Sequence, residues 1–279
     1  MKTLLYYPGC SIKKDFTDIE KASMSLLSAL GYTVIEIENW YCCGGFSSIT
    51  LLDHVKQVGA FRTLSIASKQ SIKLSTNTIL TLCPFCYNVL KRASTLQVNE
   101  PGVYRRVAEY LKDDVEPYSG GLSIIHLVEL LVAELDNLKK LVKNSLKGLR
   151  IAAYYGCMLL RPKNVAIDNP ENPLSIEKVL EVLGAEPVDF PYKTYCCGAF
   201  HTLGEAEIVS YNSTKIIKSA IDAGATIIAT PCPLCLYNLQ RYSPYVEAGI
   251  KVLHLVDVIA HAIGLHSINK LINLKINSK

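Results

Sequence analysis

The sequence predicts an α/β fold of two tandem, repeated domains with mainly parallel sheets, related by pseudo-two-fold symmetry. One observation behind this prediction is that strand-like and helix-like segments alternate along the whole chain. The other is an internal repeat, because three cysteine motifs occur twice in the same order. Segments 6–10, 41–46 and 83–88 return as segments 154–157, 195–200 and 232–238, and residues 126–129 (HLVE) return as residues 254–257 (HLVD).

In the first half, apolar periodicity and turn residues predict three strands, each followed by a helix. The strands are predicted over residues 4–7, 32–37 and 78–82. One helix spans residues 18–30 and ends at Gly31, and a second begins at a cap provided by Ser47 or Ser48 and runs to about Lys69. The third opens with Cys83-Pro84-Phe85-Cys86, which puts proline in its first turn. An insertion over about residues 96–123, with a helix at 103–112, has no counterpart in the second half.

The second half follows the same order. Strands are predicted over residues 150–155, 187–190 and 226–230, and helices over residues 173–183 and 204–223. Equivalent motifs lie about half a chain apart, so the boundary between the repeats falls near residues 143–148. The predicted domains are therefore residues 1–145 and 146–279.

All ten cysteines belong to the repeat, and the motifs that contain them follow predicted strand ends. In open parallel sheets, ligands gather beyond the carboxyl ends of the strands. We therefore expect the five thiols of each half to converge on one site.

Composition narrows the classes of function. Apolar residues make up 49% of the chain and charged residues 19%, which suits a globular subunit with buried surface. The net charge of +4 is spread along the chain and gives no footprint for nucleic acid. No apolar run approaches the ~20 residues of a membrane-spanning helix, and no signal peptide precedes Cys10. Ten cysteines without an export signal indicate a reducing compartment, so we expect a cytoplasmic protein.

The number of cysteines points to metal chemistry. Cys-x-x-Cys at a helix start directs two thiolates to one centre, and the helix N-terminus favours their charge. Adjacent cysteines such as Cys42 and Cys43 can serve neighbouring irons or let one sulfur bridge two. Five soft ligands exceed the four that a structural zinc or an ordinary cubane needs. Gly44, Gly45 and Gly198 allow the backbone to pass close to an inorganic core and turn its amides toward the sulfurs.

The pattern of Cys, then Cys-Cys-Gly, then Cys-Pro-x-Cys, present twice, resembles the cysteine-rich CCG domains in the B subunit of heterodisulfide reductase. The match extends from about Leu4 to about Gly264. Similar domains occur in sulfur-oxidising heterodisulfide-reductase-like complexes, in the E-type subunit of succinate:quinone oxidoreductase, and in glycolate and lactate oxidation subunits.

The resemblance implies one noncubane [4Fe-4S] cluster on each set of five cysteines. The implied ligand sets are Cys10, Cys42, Cys43, Cys83 and Cys86, and Cys157, Cys196, Cys197, Cys232 and Cys235. It also implies a complex with an iron–sulfur electron-donor subunit and a flavoprotein subunit. In the methanogenic enzyme the substrate is the coenzyme M–coenzyme B disulfide, but this sequence carries no substrate signature. Zinc is the alternative occupant of the first site.

Other residues carry weaker signals. His126 and His254 are interpreted as packing residues at helix starts and not as metal ligands. Tyr155 and Met158 flank Cys157 and are candidates for lining one site, with a core role as the alternative. His201 is a candidate proton donor to a leaving thiolate, with a solvated loop position as the alternative.

The tail is mildly amphipathic, because it combines Lys270 and Lys275 with the apolar residues Ile268, Leu271, Ile272 and Leu274. It is interpreted as a frayed helix, or as a dock for a partner or for the inner face of the membrane.

Two functions fit these features. The first is a catalytic subunit that interconverts thiols and a disulfide at its clusters. The second is an electron-transfer or anchoring subunit of a succinate:quinone oxidoreductase, in which the same cysteines pass electrons toward quinone. The double motif is common to both, so the sequence favours the first without excluding the second.

Overall fold

The computed structural model describes residues 2–45, 54–243 and 249–265. It confirms an α/β fold with two four-stranded sheets in which every strand pairing is parallel. The strands of the first sheet are β1 (Lys2–Tyr7), β2 (Tyr32–Glu36), β3 (Thr78–Thr81) and β4 (Ser123–His126). Those of the second are β5 (Arg150–Ala153), β6 (Glu186–Val188), β7 (Ile227–Thr230) and β8 (Lys251–His254).

Both sheets have the same strand order, β2-β1-β3-β4 and β6-β5-β7-β8. The first strand of each half is central, and β1 pairs with β2 through Leu4 and Val34 and with β3 through Leu5 and Ile79. In parallel sheets the carboxyl ends of the strands share one edge, so the loops after β1, β2 and β3 lie together, as do those after β5, β6 and β7.

Twelve α-helices lie within the described ranges. In the first half they are α1 (Cys10–Asp15), α2 (Thr17–Ala29), α3 (Val58–Leu74), α4 (Pro84–Ala93), α5 (Leu96–Asn99), α6 (Pro101–Leu111), α7 (Leu127–Ala133) and α8 (Leu135–Leu141). In the second half they are α9 (Ser175–Val182), α10 (Ala206–Asp222), α11 (Pro233–Tyr242) and α12 (Leu255–Ala262). None of these helices has both the length and the apolar character needed to cross a membrane.

The predicted element ends agree with the structure to within two residues, with one exception. Helix α3 continues to Leu74 instead of ending near Lys69, and its last turn is closed by Ser75 in a left-handed conformation. Helices α5 and α6 occupy the predicted insertion. The predicted caps at Ser47 and Ser48, Phe46 of the repeat, and the predicted amphipathic tail lie outside the described residues.

Strands β4 and β8 were not predicted from the sequence. Each has four residues and runs directly into a helix at a histidine, so no turn residue separates the strand from the helix in the sequence. Both lie parallel to the neighbouring strand, with Thr81 opposite His126 and Thr230 opposite His254.

The two halves pack against each other reciprocally. Helix α7 of the first half contacts α9 of the second, and α12 of the second half contacts α2 of the first. Helices α7 and α12 follow the fourth strand of their halves, while α2 and α9 precede the second strand. The same pair of surfaces is thus used twice, as expected for pseudo-two-fold symmetry. The exact domain boundary at 145/146 stays a proposal within the segment between α8 and β5.

Candidate metal-binding sites

The first set of cysteines lies at the carboxyl edge of the first sheet. Cys10 begins α1 directly after β1, and Cys42 and Cys43 follow β2. Cys83 is the N-cap residue of α4, and Cys86 lies in its first turn. The second set repeats this arrangement around β5, β6 and α11, with Cys232 as the N-cap residue. All ten cysteines are free thiols.

A glycine before the first cysteine gives room for the last cysteine in each set. Gly9 has φ +73° and Gly156 has φ +67°, positive values that glycine adopts at little cost. A Cβ atom at Gly9 would lie 2.6 Å from Cys86 Sγ, and one at Gly156 would lie 3.1 Å from Cys235 Sγ. Any side chain at either position would therefore push against a thiol of the Cys-Pro-x-Cys motif.

The sulfur atoms approach one another in pairs. Cys10 Sγ lies 3.6 Å from Cys42 Sγ in the first set, and the Sγ atoms of Cys157 and Cys196 are 3.9 Å apart in the second. Cys43 and Cys86 form another pair at 3.6 Å.

Within the described ranges, no group of three or more His, Cys, Asp or Glu side chains forms a ready-made site for one metal ion. Convergence of all five sulfurs of a set on one centre stays a prediction.

Backbone amides of the Cys-Cys-Gly motifs point to the sulfurs, as the sequence predicts. Gly198 N–H donates to Cys196 Sγ at 3.4 Å, and the amides of Gly44 and Gly45 bond to the thiols of Cys42 and Cys43. Such N–H groups stabilise sulfur that carries negative charge.

The second set receives an additional side-chain donor. Asn238 Nδ2 lies 3.5 Å from Cys197 Sγ, and the amide oxygen of Asn238 accepts from Thr202 Oγ1 at 3.1 Å.

Asn88 occupies a similar place in the sequence repeat, but it faces the other half of the molecule. Its Nδ2 donates to the carbonyls of Met158 and Arg161 at 2.8 and 2.7 Å. The two asparagines therefore have different roles.

Neighbouring thiols within a set differ in their affinity for a proton. A hydrogen bond with Cys42 and burial raise the pKa of Cys10, whereas hydrogen bonds with Cys42 and Cys86 hold the pKa of Cys43 well below its ordinary value.

In the second set, the hydrogen bond from the Cys157 thiol lowers the pKa of Cys196 to about 6, and the Gly198 amide acts in the same direction. Each set thus contains a thiol that ionises easily, and the thiolate is the form that binds metals.

A buried tyrosine fixes the Cys-Cys loop in each half. Tyr7 OH donates to the carbonyl of Tyr41, and Tyr154 OH donates to the carbonyl of Tyr195, both at 2.8 Å. Each accepting residue immediately precedes the cysteine pair. This correspondence aligns Tyr7 with Tyr154 and leaves Pro8 opposite Tyr155. The tyrosine role was missed from the sequence, although the repeated tyrosine before Gly-Cys was its signal.

The surroundings of the two sets differ. Cys10 and Cys42 are exposed, whereas Cys157 and Cys196 are half-buried. A narrow cavity adjoins the second set and is lined by Tyr155 and Met158. Both side chains are also buried in the hydrophobic core, which was the alternative interpretation of these residues.

Pro84 and Phe85 of the first half also line this cavity. The Phe85 ring packs against Phe200 with centroids 5.9 Å apart. The second site is therefore completed by residues of the first half.

The histidines behave as the sequence predicts where it assigns them to helix starts. His126 caps α7 and His254 caps α12, each accepting a backbone N–H through Nδ1. Burial lowers the pKa of His126 to about 3 and that of His254 to about 4, so both rings are neutral. His201 ends a short 3₁₀ turn after the second Cys-Cys-Gly, and it contributes to the lowered pKa of Cys196. Its role as a proton donor stays a prediction.

Comparison with known proteins agrees with this duplication. The family model described as "CCG: Cysteine-rich domain" matches residues 4–91 and 151–240. The chain is 30% identical over 272 residues to the 8-methylmenaquinol:fumarate reductase membrane anchor subunit of Wolinella succinogenes, covering 95% of this chain and 93% of the relative. It is also 30% identical over 272 residues to a heterodisulfide reductase B-subunit-like protein of Archaeoglobus profundus, covering 92% and 89% of the two chains.

A solved structure shares the fold. The crystal structure of a hypothetical protein from Helicobacter pylori superposes with a TM-score of 0.70 and 15% sequence identity. The match covers 94% of this chain and 49% of that chain, so this chain spans about half of its length.

Proposed function

Because this chain belongs to the family of proteins with the cysteine-rich CCG domain, we propose that it is an iron–sulfur redox subunit of a heterodisulfide-reductase-like complex. In this proposal each half holds one noncubane [4Fe-4S] cluster, and the chain carries out thiol/disulfide redox chemistry as an oxidoreductase subunit. Relatives named as subunits of reductases support membership of a multi-subunit redox complex.

The observation that carries the proposal is that both halves surround their thiols in the same way, with a glycine beside the last cysteine and glycine amides bonded to the Cys-Cys pair. Gly9 and Gly156 leave space for Cys86 and Cys235, and glycine amides bond to the thiols of both Cys-Cys motifs. The donor set of five thiols fits an iron–sulfur cluster, because thiolates are its usual ligands and amide N–H groups tune its sulfurs. A closed zinc site uses four ligands, so zinc in the first half is the less favoured occupant.

The proposed ligands of the first cluster are Cys10, Cys42, Cys43, Cys83 and Cys86, and those of the second are Cys157, Cys196, Cys197, Cys232 and Cys235. When bound, the clusters would supply electrons singly to a reaction that consumes two electrons and two protons and converts one disulfide into two thiols. The protein residues hold the sulfurs in place. Phe85 and Phe200 pack together beside the second set, and His201 is the candidate donor of a proton to a leaving thiolate.

The proposed partners are an iron–sulfur subunit that donates electrons and a flavoprotein subunit. The ten free thiols suit a cytoplasmic setting, with peripheral contact at the inner face of the membrane as the alternative.

The relative from Wolinella succinogenes favours a second candidate function. Its name describes a membrane anchor subunit of a quinol:fumarate reductase, and it is as similar to this chain as the heterodisulfide reductase relative is. In this alternative the same cysteines hold clusters that carry electrons between quinone and a flavoprotein, and no disulfide reacts.

One experiment separates the two functions. The complex is purified anaerobically from its own source, its subunits are identified, and its oxidation of reduced viologen is measured with a panel of disulfides. The same preparation is then tested for reduction of its clusters by a menaquinol analogue. Disulfide-dependent turnover that is lost in Cys196→Ser supports the first function. Cluster reduction by menaquinol with no disulfide turnover supports the alternative, and failure of both assays contradicts the redox assignment.

A further inference from the structure

A buried charged network lies beside the second cysteine set. Lys193 and Glu177 are only 6% and 7% exposed, and Lys193 Nζ lies 3.3 Å from Glu177 Oε1. Tyr155 OH donates to Glu177 Oε2 and accepts from the Ile176 amide at 2.7 Å. Asp189, which is 84% exposed, lies 3.0 Å from Lys193 Nζ at the surface.

This network joins the two chain segments that deliver Cys157 and Cys196. Tyr155 is two residues before Cys157, and Lys193 is three residues before Cys196. The carbonyl of Lys193 accepts from the amides of Tyr155 and Gly156 at 2.9 and 3.3 Å. The side chains of Lys193 and Tyr155 form a second link, because both contact the carboxylate of Glu177. The segments are therefore linked through both backbone and side chains, next to a thiol pair 3.9 Å apart.

The first half does not contain these residues. The alignment of Gly9 with Gly156 puts Pro8 opposite Tyr155, and the spacing to the cysteine pair puts Asn39 opposite Lys193. Proline has no hydroxyl group, and asparagine carries no charge. Beside the first set, Lys13 Nζ forms salt bridges to Glu20 and Glu36, but the lysine side chain is 44% exposed. The buried ionic link is thus specific to the second site.

Burying an ion pair costs desolvation free energy that its attraction often fails to recover, so such a pair is a poor way to stabilise a core. Its fixed hydrogen-bond geometry makes it better suited to holding two segments in register. We propose that Tyr155, Glu177 and Lys193 are positioning residues that hold Cys157 and Cys196 at the separation required for the second metal centre. This inference rests on the proposed function, because it assumes a metal centre on these thiols.

The central variant is Glu177→Gln/Lys193→Met. It removes both charges together and leaves no unpaired buried charge. Glutamine keeps the shape of glutamate, methionine is one atom shorter than lysine, and the backbone bonds of residue 193 are preserved. Tyr155→Phe removes only the hydroxyl group, and it tests the positioning role if the double variant does not fold. The matched controls are Lys13→Met, which breaks the partly exposed salt bridges to Glu20 and Glu36 beside the first set, and Asp189→Asn, which removes the surface carboxylate.

Two measurements are made on the full chain. The first is iron content with electron paramagnetic resonance of the anaerobically prepared protein, in a Cys43→Ser background that isolates the second site. The second is the rate at which Cys157 and Cys196 form a disulfide on mild oxidation of the metal-free chain, followed by mass spectrometry. Because the second measurement needs no cluster, it tests the positioning role even if the proposed function fails.

We expect the double variant and Tyr155→Phe to lose or shift the second-site signal and to slow cross-linking several-fold, while both controls match the parent protein. An unchanged signal and cross-linking rate in the double variant or in Tyr155→Phe would overturn the positioning role. A parent protein without iron or labile sulfide would instead contradict the proposed function, and the cross-linking rates would then decide the positioning role alone.

Discussion

The two halves share the groups that touch the thiols and differ in what surrounds those groups. In both, a glycine before the first cysteine adjoins the last cysteine, a buried tyrosine holds the loop before Cys-Cys, and glycine amides bond to sulfur. The first set opens to solvent at Cys10 and Cys42. The second is covered by aromatic residues that include Phe85 of the first half. Duplication has thus kept the ligand-holding frame, while the environments have diverged.

Residues of the first half also contact the loop beside the second site. Tyr87 OH donates to the carbonyl of Val165 at 2.9 Å, and Asn88 binds the loop that follows Cys157. Both residues lie on α4, one or two positions after Cys86. A change on this helix can therefore act on both sites.

The largest expected effect is loss of one cluster at a time. Cys43→Ser should remove the iron of the first half, and Cys197→Ser should remove that of the second, because a hydroxyl group is a poor replacement for thiolate on iron. Each variant is expected to retain about half of the parent iron, as measured by metal and labile sulfide analysis. Loss of all iron from either variant would show that the two sites are not independent.

A smaller effect is expected from the glycines that adjoin the last cysteines. Gly9→Ala and Gly156→Ala should each lose about 1–3 kcal/mol of stability because a positive φ is strained for alanine, with an added cost from the thiol contact. The added cost should be larger at Gly9, where the Cβ atom would lie 2.6 Å from sulfur against 3.1 Å at Gly156. Chemical denaturation and iron content are measured for both variants.

Gly31→Ala and Gly148→Ala are the matched controls for these glycines. They have φ values of +83° and +81°, and a Cβ atom at either position would meet nothing within 4 Å. They should show the backbone cost with full iron. Equal iron loss in the controls and the test variants would remove the case for a steric role of Gly9 and Gly156.

Asn88→Ala tests the dependence of the second site on the first half. The change leaves the buried carbonyl of Met158 and the partly buried carbonyl of Arg161 without their amide donor, at a cost of about 1–3 kcal/mol. We expect the second-site signal in electron paramagnetic resonance to change and the first-site signal to remain, although Asn88 is two residues from Cys86. The opposite result, a change confined to the first site, would refute the cross-half contact.

The smallest expected effect concerns the paired tyrosines. Tyr7→Phe and Tyr154→Phe each remove one hydrogen bond to a carbonyl before Cys-Cys, worth about 1 kcal/mol. The Tyr41 carbonyl also lies 3.4 Å from Thr63 Oγ1, so Tyr7→Phe should be the milder change. Thermal unfolding compares them with the exposed control Tyr110→Phe. A greater loss for Tyr7→Phe would contradict this ranking.

Most of the fold and of the backbone around the thiols could be predicted from the sequence, because these features depend on residues that are close together in the chain. The alternation of strand-like and helix-like segments predicted the parallel sheets, and the sequence repeat predicted two sites at strand ends. Proline after Cys83 and Cys232 marked the starts of α4 and α11. The Gly44, Gly45 and Gly198 amides were also expected to face sulfur.

What the sequence could not predict depends on contacts between distant residues. Strands β4 and β8 run into helices without an intervening turn residue and are recognised by their pairing with β3 and β7. The burial of Lys193 with Glu177 has no local signature, since both residues resemble ordinary surface residues in sequence. The placement of Phe85 at the second site depends on the packing of the two halves.

The most direct test of one iron–sulfur centre in each half is the metal and sulfide content of the anaerobically prepared full chain. Iron, acid-labile sulfide and zinc are measured on one sample and referred to protein concentration from amino-acid analysis. Two four-iron clusters per chain would give about eight irons and comparable labile sulfide, with zinc near zero. Stoichiometric zinc without labile sulfide would contradict the central claim, and four irons with one zinc would restrict it to one half.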